Sequence, residues 1–387
     1  MQISILHFKH LNQHKCRVMS IKVKAAVLLQ TREKLQVEQL ELEAPHANEV
    51  MVEIAATGVC HTDLSVYQAV LSSPLPVVLG HESSGTVTAL GSNVTTLAVG
   101  DKVVLSLLAQ CGTCFYCSHS QPVLCESGQT AMLRGTLSDG TTRFRWNGKP
   151  VYQLTGLGTF AQRVVVPAAS AVRIPDSLPL TQAALLGCGV ITGFGAAVNT
   201  AKVAVGESVA VLGCGGVGLN AVQGARISGA SMIIAIDPHE DRLALAKSLG
   251  ATHTLIPGKG LVDKIRAMTS GRGVEVALEV AGRQETIDDA IRMTRRGGRV
   301  VIVSAPGKDV MVNIPAFGGL VMTEKSIRGS LYGSAHVQRD VRRLISLYES
   351  GQLHLDKLVS ATFSLDDINE AMAYCVSERG GRAIVIP

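Results

Sequence analysis

One stretch constrains this chain more than any other. Ser208-Val-Ala-Val-Leu212 is a short apolar run that leads directly into Gly213-Cys-Gly215-Gly216-Val217-Gly218. The pattern is G-x-G-x-x-G between a strand and a helix. Asp237 closes the next apolar run, MIIAIDP, 24 residues beyond Gly213. Gly213 makes the turn, Gly215 lets a pyrophosphate approach the backbone, and Gly218 lets helix pack on strand. Gly216 and Val217 complete the fingerprint as expected coenzyme contacts, and the helix that follows has its N-terminus facing the phosphates. Asp237 would accept from the adenosine ribose hydroxyls. A carboxylate there repels a 2′-phosphate, so NAD is expected over NADP, and Arg242, five residues on, partly offsets that preference. The plain alternative is a glycine-rich turn in some other α/β protein.

The surrounding texture agrees with a parallel sheet. Apolar strands are expected at Ser208–Leu212, Met232–Ile236, Val274–Val280 and Arg299–Ser304. Between them, helical spacing marks Gly218–Ser228, Glu240–Leu249, Gly260–Met268 and Glu285–Met293. Fully apolar strands alternating with helices imply a sheet covered on both faces. Residues 22–125 read differently, as short alternating β segments such as Lys24–Leu29, Glu49–Ala55, Ser84–Leu90 and Asp101–Leu107. Residues 126–156 are polar and glycine-rich without a clear period, and are expected to form a long loop. Helices at Asp340–Leu353 and Leu365–Val376 and a strand at Ala383–Ile386 end the chain.

Nine cysteines are an odd number for a disulfide framework, and their spacing points to metal. Cys111, Cys114, Cys117 and Cys125 leave gaps of two, two and seven residues. Thiolates so spaced can close a tetrahedron around Zn²⁺, with Gly112 letting the backbone curl round it. Cysteine fills all four positions, so such a site is structural. A second set is scattered: Cys60 after a Gly58 turn, His81-Glu82 after Gly80, and Cys188 between Gly187 and Gly189. Three such ligands with one open position would make a catalytic zinc. On chemistry alone, a buried small cysteine and a hydrogen-bonded core histidine are the commoner explanation.

Taken in order, Gly58-Val-Cys60-His61-Thr62-Asp63, Gly80-His81-Glu82, the four-cysteine segment, Gly187-Cys188-Gly189-Val-Ile-Thr192-Gly193 and Gly213–Gly218 resemble a zinc-dependent alcohol dehydrogenase of the medium-chain dehydrogenase/reductase superfamily. The resemblance covers nearly all of residues 22–387. It implies an α/β fold: a GroES-like, β-rich catalytic domain over 19–189, completed by 332–387, and a Rossmann NAD-binding domain over 190–331. It implies a catalytic zinc on Cys60, His81 and Cys188 with Glu82 close behind, and a structural zinc on Cys111, Cys114, Cys117 and Cys125. Thr62 matches the hydroxyl that takes the alcohol proton, and Asp63 the carboxylate that orients His81. His61 and Arg382 match contacts to the NAD pyrophosphate, and Thr192 lies where the family touches the nicotinamide side. The implied reaction is reversible oxidation of primary alcohols to aldehydes, with hydride passing from a zinc-held alkoxide to NAD.

Two positions depart from common family patterns. Ser65 stands where many relatives have a histidine that relays the proton. Gln129 stands where glutathione-dependent formaldehyde dehydrogenases have an arginine, although Arg134, Arg143 and Arg145 are near in sequence. A thiol-adduct formaldehyde dehydrogenase is therefore a second reading, and an alcohol:acceptor oxidoreductase with tightly held NADH a third. A non-catalytic binder of zinc and nucleotide is the alternative of another class. Leu107 and Leu154 are expected to line a roomy aliphatic pocket.

Charge limits the partners. The net +5 falls to +2 without residues 1–18, which carry Lys9, Lys15 and Arg17 and no acid. A near-neutral body gives no case for nucleic-acid binding, and no apolar run reaches the ~18 residues of a membrane span. Residues 1–18 read as a disordered tail or upstream extension, and the body as a cytoplasmic homodimer, paired through a last Rossmann strand near Ser326–Tyr332, acting on a small alcohol or aldehyde.

Overall fold

The computed structural model describes residues 20–377 and 380–387. The tail expected over 1–18 lies outside the described residues.

Six parallel strands form one sheet, in the order His253–Leu255, Met232–Ile236, Ser208–Leu212, Val274–Glu279, Thr294–Ile302 and Ser326–Gly329. Its centre is dry on both sides. Val209 and Val211 pack into one apolar cluster with Leu219 and Val222 of the helix Gly216–Ile227. The intervening Ala210 and Leu212 pack into another with Ile265 and Ile287 from the helices Leu261–Met268 and Gln284–Met293. Burying each such valine or leucine contributes roughly 1.5–3 kcal/mol. The strand order reverses beside Ser208–Leu212, and this opens a crevice beyond the strands' carboxyl ends, the usual ligand position in such sheets.

The other assemblies are mostly antiparallel. Ser20–Leu28, Gln36–Glu43, Phe144–Trp146, Lys149–Gln153 and Val77–Val78 close a small barrel. A seven-stranded sheet runs through Ala171–Arg173, Lys102–Leu105, Glu82–Leu90, Glu49–Gly58, Arg382–Ile386 and Val359–Ser364, with Arg163–Pro167 also pairing to Glu49–Gly58. Glu49–Gly58 is thus the spine of this part, and Arg382–Ile386 is brought back from the far end of the sequence to lie beside it.

The expectation of a long loop over 126–156 is corrected. Glu126–Arg134 is a helix, and Phe144–Trp146 and Lys149–Gln153 form a hairpin that closes the barrel. These strands are too short to show a period, and a buried polar network holds their register. The Arg143 side chain is 1% exposed. It pairs with Glu49 and reaches Asp139 at 2.6 Å and His46 at 2.8 Å. His46, Glu49 and Asp139 also lie close enough to hold a cation, but the guanidinium already fills that role. Gln36–Glu43, inside the region read as short β segments, was not delimited by the sequence reading, and the strands His253–Leu255 and Val359–Ser364 were missed. In the first of these only Leu40 and Leu42 are buried, so charged residues masked the alternation.

Among the described residues no single helix is long and apolar enough to cross a membrane. The bent pair Leu180–Gly187 and Gly189–Thr200 comes near by length and composition, but most of its side chains are packed in the core.

Candidate active site

Three separated segments converge on one buried point. Cys60 lies two residues past the strand Glu49–Gly58 and takes the N-cap position of the helix His61–Tyr67. His81 follows Gly80, whose φ is +88°, and a Cβ on Gly80 would fall 2.6 Å from the Phe160 ring. Cys188 caps the helix Gly189–Gly195. The donor atoms of Cys60, His81 and Cys188 lie within 4.8 Å of one another, and all three residues are buried. Two sulfurs and an imidazole suit zinc in ligand type and number.

The residues behind these donors are held as firmly. Asp63 is fully buried. Its Oδ2 accepts from the Cys60 amide at 2.9 Å, and its Oδ1 accepts from the Gly80 amide at 2.9 Å and faces His81 Nδ1 at 3.3 Å. One carboxylate therefore ties two ligand segments together. Glu82 Oε1 accepts from the Gly189 amide at 3.2 Å. Its Oε2 faces Arg382 at 3.1 Å, outside hydrogen-bond alignment. Arg382 is itself buried and reaches Cys60 Sγ at 3.9 Å.

The electrostatics follow from these contacts. The Cys188 hydrogen bond, helped by Arg382 and His81, holds the Cys60 thiol well below its ordinary pKa. Cys188 is pushed up by the same bond and by burial. Burial pulls His81 down, but Asp63 and Cys60 outweigh it and raise the imidazole. Burial lifts Glu82 to about 7 against the pull of Arg382. Both sulfurs must be thiolates to ligate a metal, so metal binding here displaces protons. Thr62 Oγ1 is 3.9 Å from Cys60 Sγ, and His61 is exposed at the start of the same helix.

The four-cysteine segment makes a second cluster at the surface. Its sulfurs also lie within 4.8 Å of one another. Cys111 and Cys117 sulfurs are 4.0 Å apart, close to the ~3.8 Å between ligands of a tetrahedron with ~2.3 Å bonds. Backbone amides of Cys114 and Cys111 point at the sulfurs of Cys111 and Cys125.

The fingerprint lies at the crevice. Gly213 has φ +96°, and a Cβ on Gly218 would sit 1.8 Å from the Gly213 carbonyl oxygen, so no side chain fits there. A Cβ on Gly215 would meet nothing within 4 Å, which leaves room for a phosphate against the backbone. A Cβ on Gly216 would fall 2.7 Å from the Arg382 guanidinium carbon. Asp237 follows its strand and is buried. It accepts from the Cys214 and His239 amides at 2.8 and 3.0 Å, with Arg242 3.6 Å away. Thr192 is half-buried on the helix that Cys188 caps.

Comparison with known proteins adds the decisive finding. Residues 46–176 match the alcohol dehydrogenase GroES-like domain, and residues 216–350 match the zinc-binding dehydrogenase family. An NDMA-dependent alcohol dehydrogenase of Amycolatopsis methanolica is 38% identical over 90% of this chain and 95% of its own. The chain belongs to the zinc-dependent alcohol dehydrogenase family. Solved relatives of this chain include an alcohol dehydrogenase zinc-binding domain protein from Burkholderia ambifaria, with TM-score 0.90 and 36% identity, covering 95% of this chain and 100% of its own. Benzyl alcohol dehydrogenase from Acinetobacter calcoaceticus gives 0.89 and 33%, covering 95% and 99%. The chain is thus an oxidoreductase of the medium-chain dehydrogenase/reductase superfamily with the expected GroES-like and Rossmann parts.

The two sequence departures have defined settings in this structure. Ser65 is buried and donates to the His61 carbonyl at 3.0 Å. Gln129 is half-buried, its amide 3.4 Å from the Val123 carbonyl. Arg143 is consumed by Glu49 and Asp139, and Arg145 by Glu43. Two residues escaped the sequence reading. Tyr332 is a buried phenol donating to the Gly187 carbonyl beside Cys188, and Glu279 is a fully buried carboxylate at the crevice. The only sequence signal for Glu279 was an acid at the end of a largely apolar strand, which also carries Glu275.

Proposed function

We propose that this chain oxidises primary alcohols reversibly to aldehydes with NAD, at a zinc held by Cys60, His81 and Cys188. A second zinc on Cys111, Cys114, Cys117 and Cys125 braces the fold. The observation that carries the reading is that one buried guanidinium, Arg382, touches both halves. It lies 3.9 Å from Cys60 Sγ and is packed against Gly216 of the fingerprint.

When bound, zinc supplies the Lewis acidity that acidifies an alcohol, and NAD supplies the hydride acceptor. Thr62 accepts the alcohol proton on its hydroxyl and passes its own outward. Ser65 offers no base near neutral pH, so the proton continues to water. Asp63 engages His81 Nδ1 and leaves Nε2 for the ligand position. His61 and Arg382, with the amides after Gly215, would hold the pyrophosphate, Asp237 and Arg242 the adenosine ribose, and Thr192 the nicotinamide side.

Arg143 and Arg145 are already paired, and Gln129 replaces the anion-binding arginine. This favours a free alcohol over an anionic thiol adduct, with Leu107 and Leu154 as aliphatic walls. The name of the Amycolatopsis methanolica relative favours a second reading, an alcohol:acceptor oxidoreductase whose NADH stays bound. The free edge of Ser326–Gly329 and the exposed Phe317, Val321 and Met322 support a homodimer joined along that edge. We place the enzyme in the cytoplasm.

The test is NADH appearance at 340 nm with NAD and alcohols from ethanol to benzyl and branched terpenoid alcohols. Turnover with any of them establishes the first reading. Silence that NDMA relieves establishes the second. Silence relieved only by formaldehyde plus a carrier thiol moves the assignment to the thiol adduct. Silence throughout, with one zinc per chain, leaves a non-catalytic binder.

A further inference from the structure

Glu279 ends the strand Val274–Glu279, immediately beside Ser208–Leu212, where the strand order reverses. Its side chain is 0% exposed. A buried carboxylate is costly unless fully hydrogen-bonded, and this one is. Oε1 accepts from the Ala281 amide at 2.9 Å, the Gly282 amide at 2.8 Å and the Thr286 hydroxyl at 2.7 Å. Oε2 accepts from the Ser304 hydroxyl at 2.5 Å. All four partners are neutral. Through them the carboxylate joins the turn after its own strand, the first turn of the helix Gln284–Met293, and the loop after Thr294–Ile302.

These three segments border one half of the crevice. Gly213 packs against the first of them, since a Cβ there would meet the Ala281 nitrogen at 3.0 Å. Gly282, with φ +73°, would meet Ser304 Cβ at 3.2 Å, so the first and third are in contact. Asp237, on the other side of Ser208–Leu212, marks the adenosine half. A dinucleotide laid across the reversal must put its second half over Ala281–Gly282 and Ser304.

We infer that Glu279 is a positioning residue for the nicotinamide half of the coenzyme. It locks the Ala281–Gly282 turn to Ser304, so the surface on which the nicotinamide half would rest is fixed. This rests on the NAD reading above. A merely structural carboxylate would weaken both halves of the coenzyme alike, whereas a positioning residue weakens one.

The experiment compares two probes on the intact protein, NADH by fluorescence titration and ADP-ribose by calorimetry. Expected for Glu279→Ala is a loss of NADH affinity of about 10-fold or more, with ADP-ribose held within about 2-fold. Glu279→Gln keeps an oxygen for the two amides and recovers part of the loss. Ser304→Ala removes a single bond without burying a charge, so it reports even if Glu279→Ala fails to fold. It should weaken NADH about 3-fold and shift its emission, leaving ADP-ribose unchanged. Equal weakening of both probes, or no change in either, overturns the inference. A wild-type protein that binds neither probe overturns the NAD reading instead, and the inference with it.

Discussion

The two cysteine clusters solve one coordination problem in opposite ways. The four-cysteine lobe takes every donor from fifteen consecutive residues, 111–125, and orients the sulfurs with its own backbone amides. It sits at the surface, with only Cys125 buried. The Cys60, His81 and Cys188 cluster gathers donors from three remote segments, is wholly buried, and is surrounded by Asp63, Glu82 and Arg382. A local cluster needs little beyond its own loop. A dispersed one exists only when the whole fold does, and in return it gains neighbours that tune charge.

That contrast can be broken first at His81. His81→Ala should reduce alcohol turnover by roughly 10³-fold, the several kcal/mol that a Lewis acid contributes, while metal analysis falls from two zincs per chain to one. Turnover kept within tenfold would show that the dispersed cluster is not the reaction centre. Thr62→Val is the next largest: about 10²-fold in kcat with both zincs retained, and loss of a zinc would reassign Thr62 to holding the site together. Cys114→Ser should reverse the pattern, lowering Tm by about 5 °C and removing one zinc while kcat/KM at 25 °C changes less than about 3-fold. An activity loss matching that of His81→Ala would erase the distinction between the clusters.

Smaller effects sharpen it. With no base at Ser65, alcohol oxidation should rise with buffer concentration near pH 7, read at constant ionic strength. Ser65→His should flatten that dependence. A rate indifferent to buffer in the starting protein counts against exit through water. Away from both clusters, Asp139 sets the smallest effect. Burial pushes its carboxyl up, but Arg143 and Thr141 outweigh it and bring it to about 2 from 3.8. A depressed carboxyl contributes stability that is present above pH ~4 and is lost as pH falls through ~2. The group is half in solvent, so screening reduces that contribution. Asp139→Asn should narrow the acid-side stability difference only slightly, as read by chemical denaturation at pH 2.5 and 6.

The same contrast explains what could be read in the sequence. The lobe and the glycine fingerprint are local, so spacing alone exposed them. Cys60, His81 and Cys188 became interpretable only through family resemblance, because nothing in the sequence says that residues so far apart meet. The central parallel strands were legible because burial on both faces leaves them mostly apolar, whereas the edge strand His253–Leu255 is short and partly exposed and was not. The 126–156 hairpin was not, because its register rests on Arg143, and an arginine in a polar stretch carries no mark of being buried. Glu279 was hidden for the converse reason. One of two acids in a largely apolar strand looks like an interruption until its four donors are seen.

Arg382 gives the assembly a temporal order. A ribosome adding about 5–20 residues per second delivers Cys188 some 10–40 s before Arg382. The lobe cysteines emerge earlier still and can take up metal while the rest is being made. For that interval Cys60, His81 and Glu82 lack the strand and the cation that complete their surroundings. Completion of the two clusters is thereby staggered: the four-cysteine one has all its donors long before Arg382 is made, and the dispersed one gains its buried cation only afterwards.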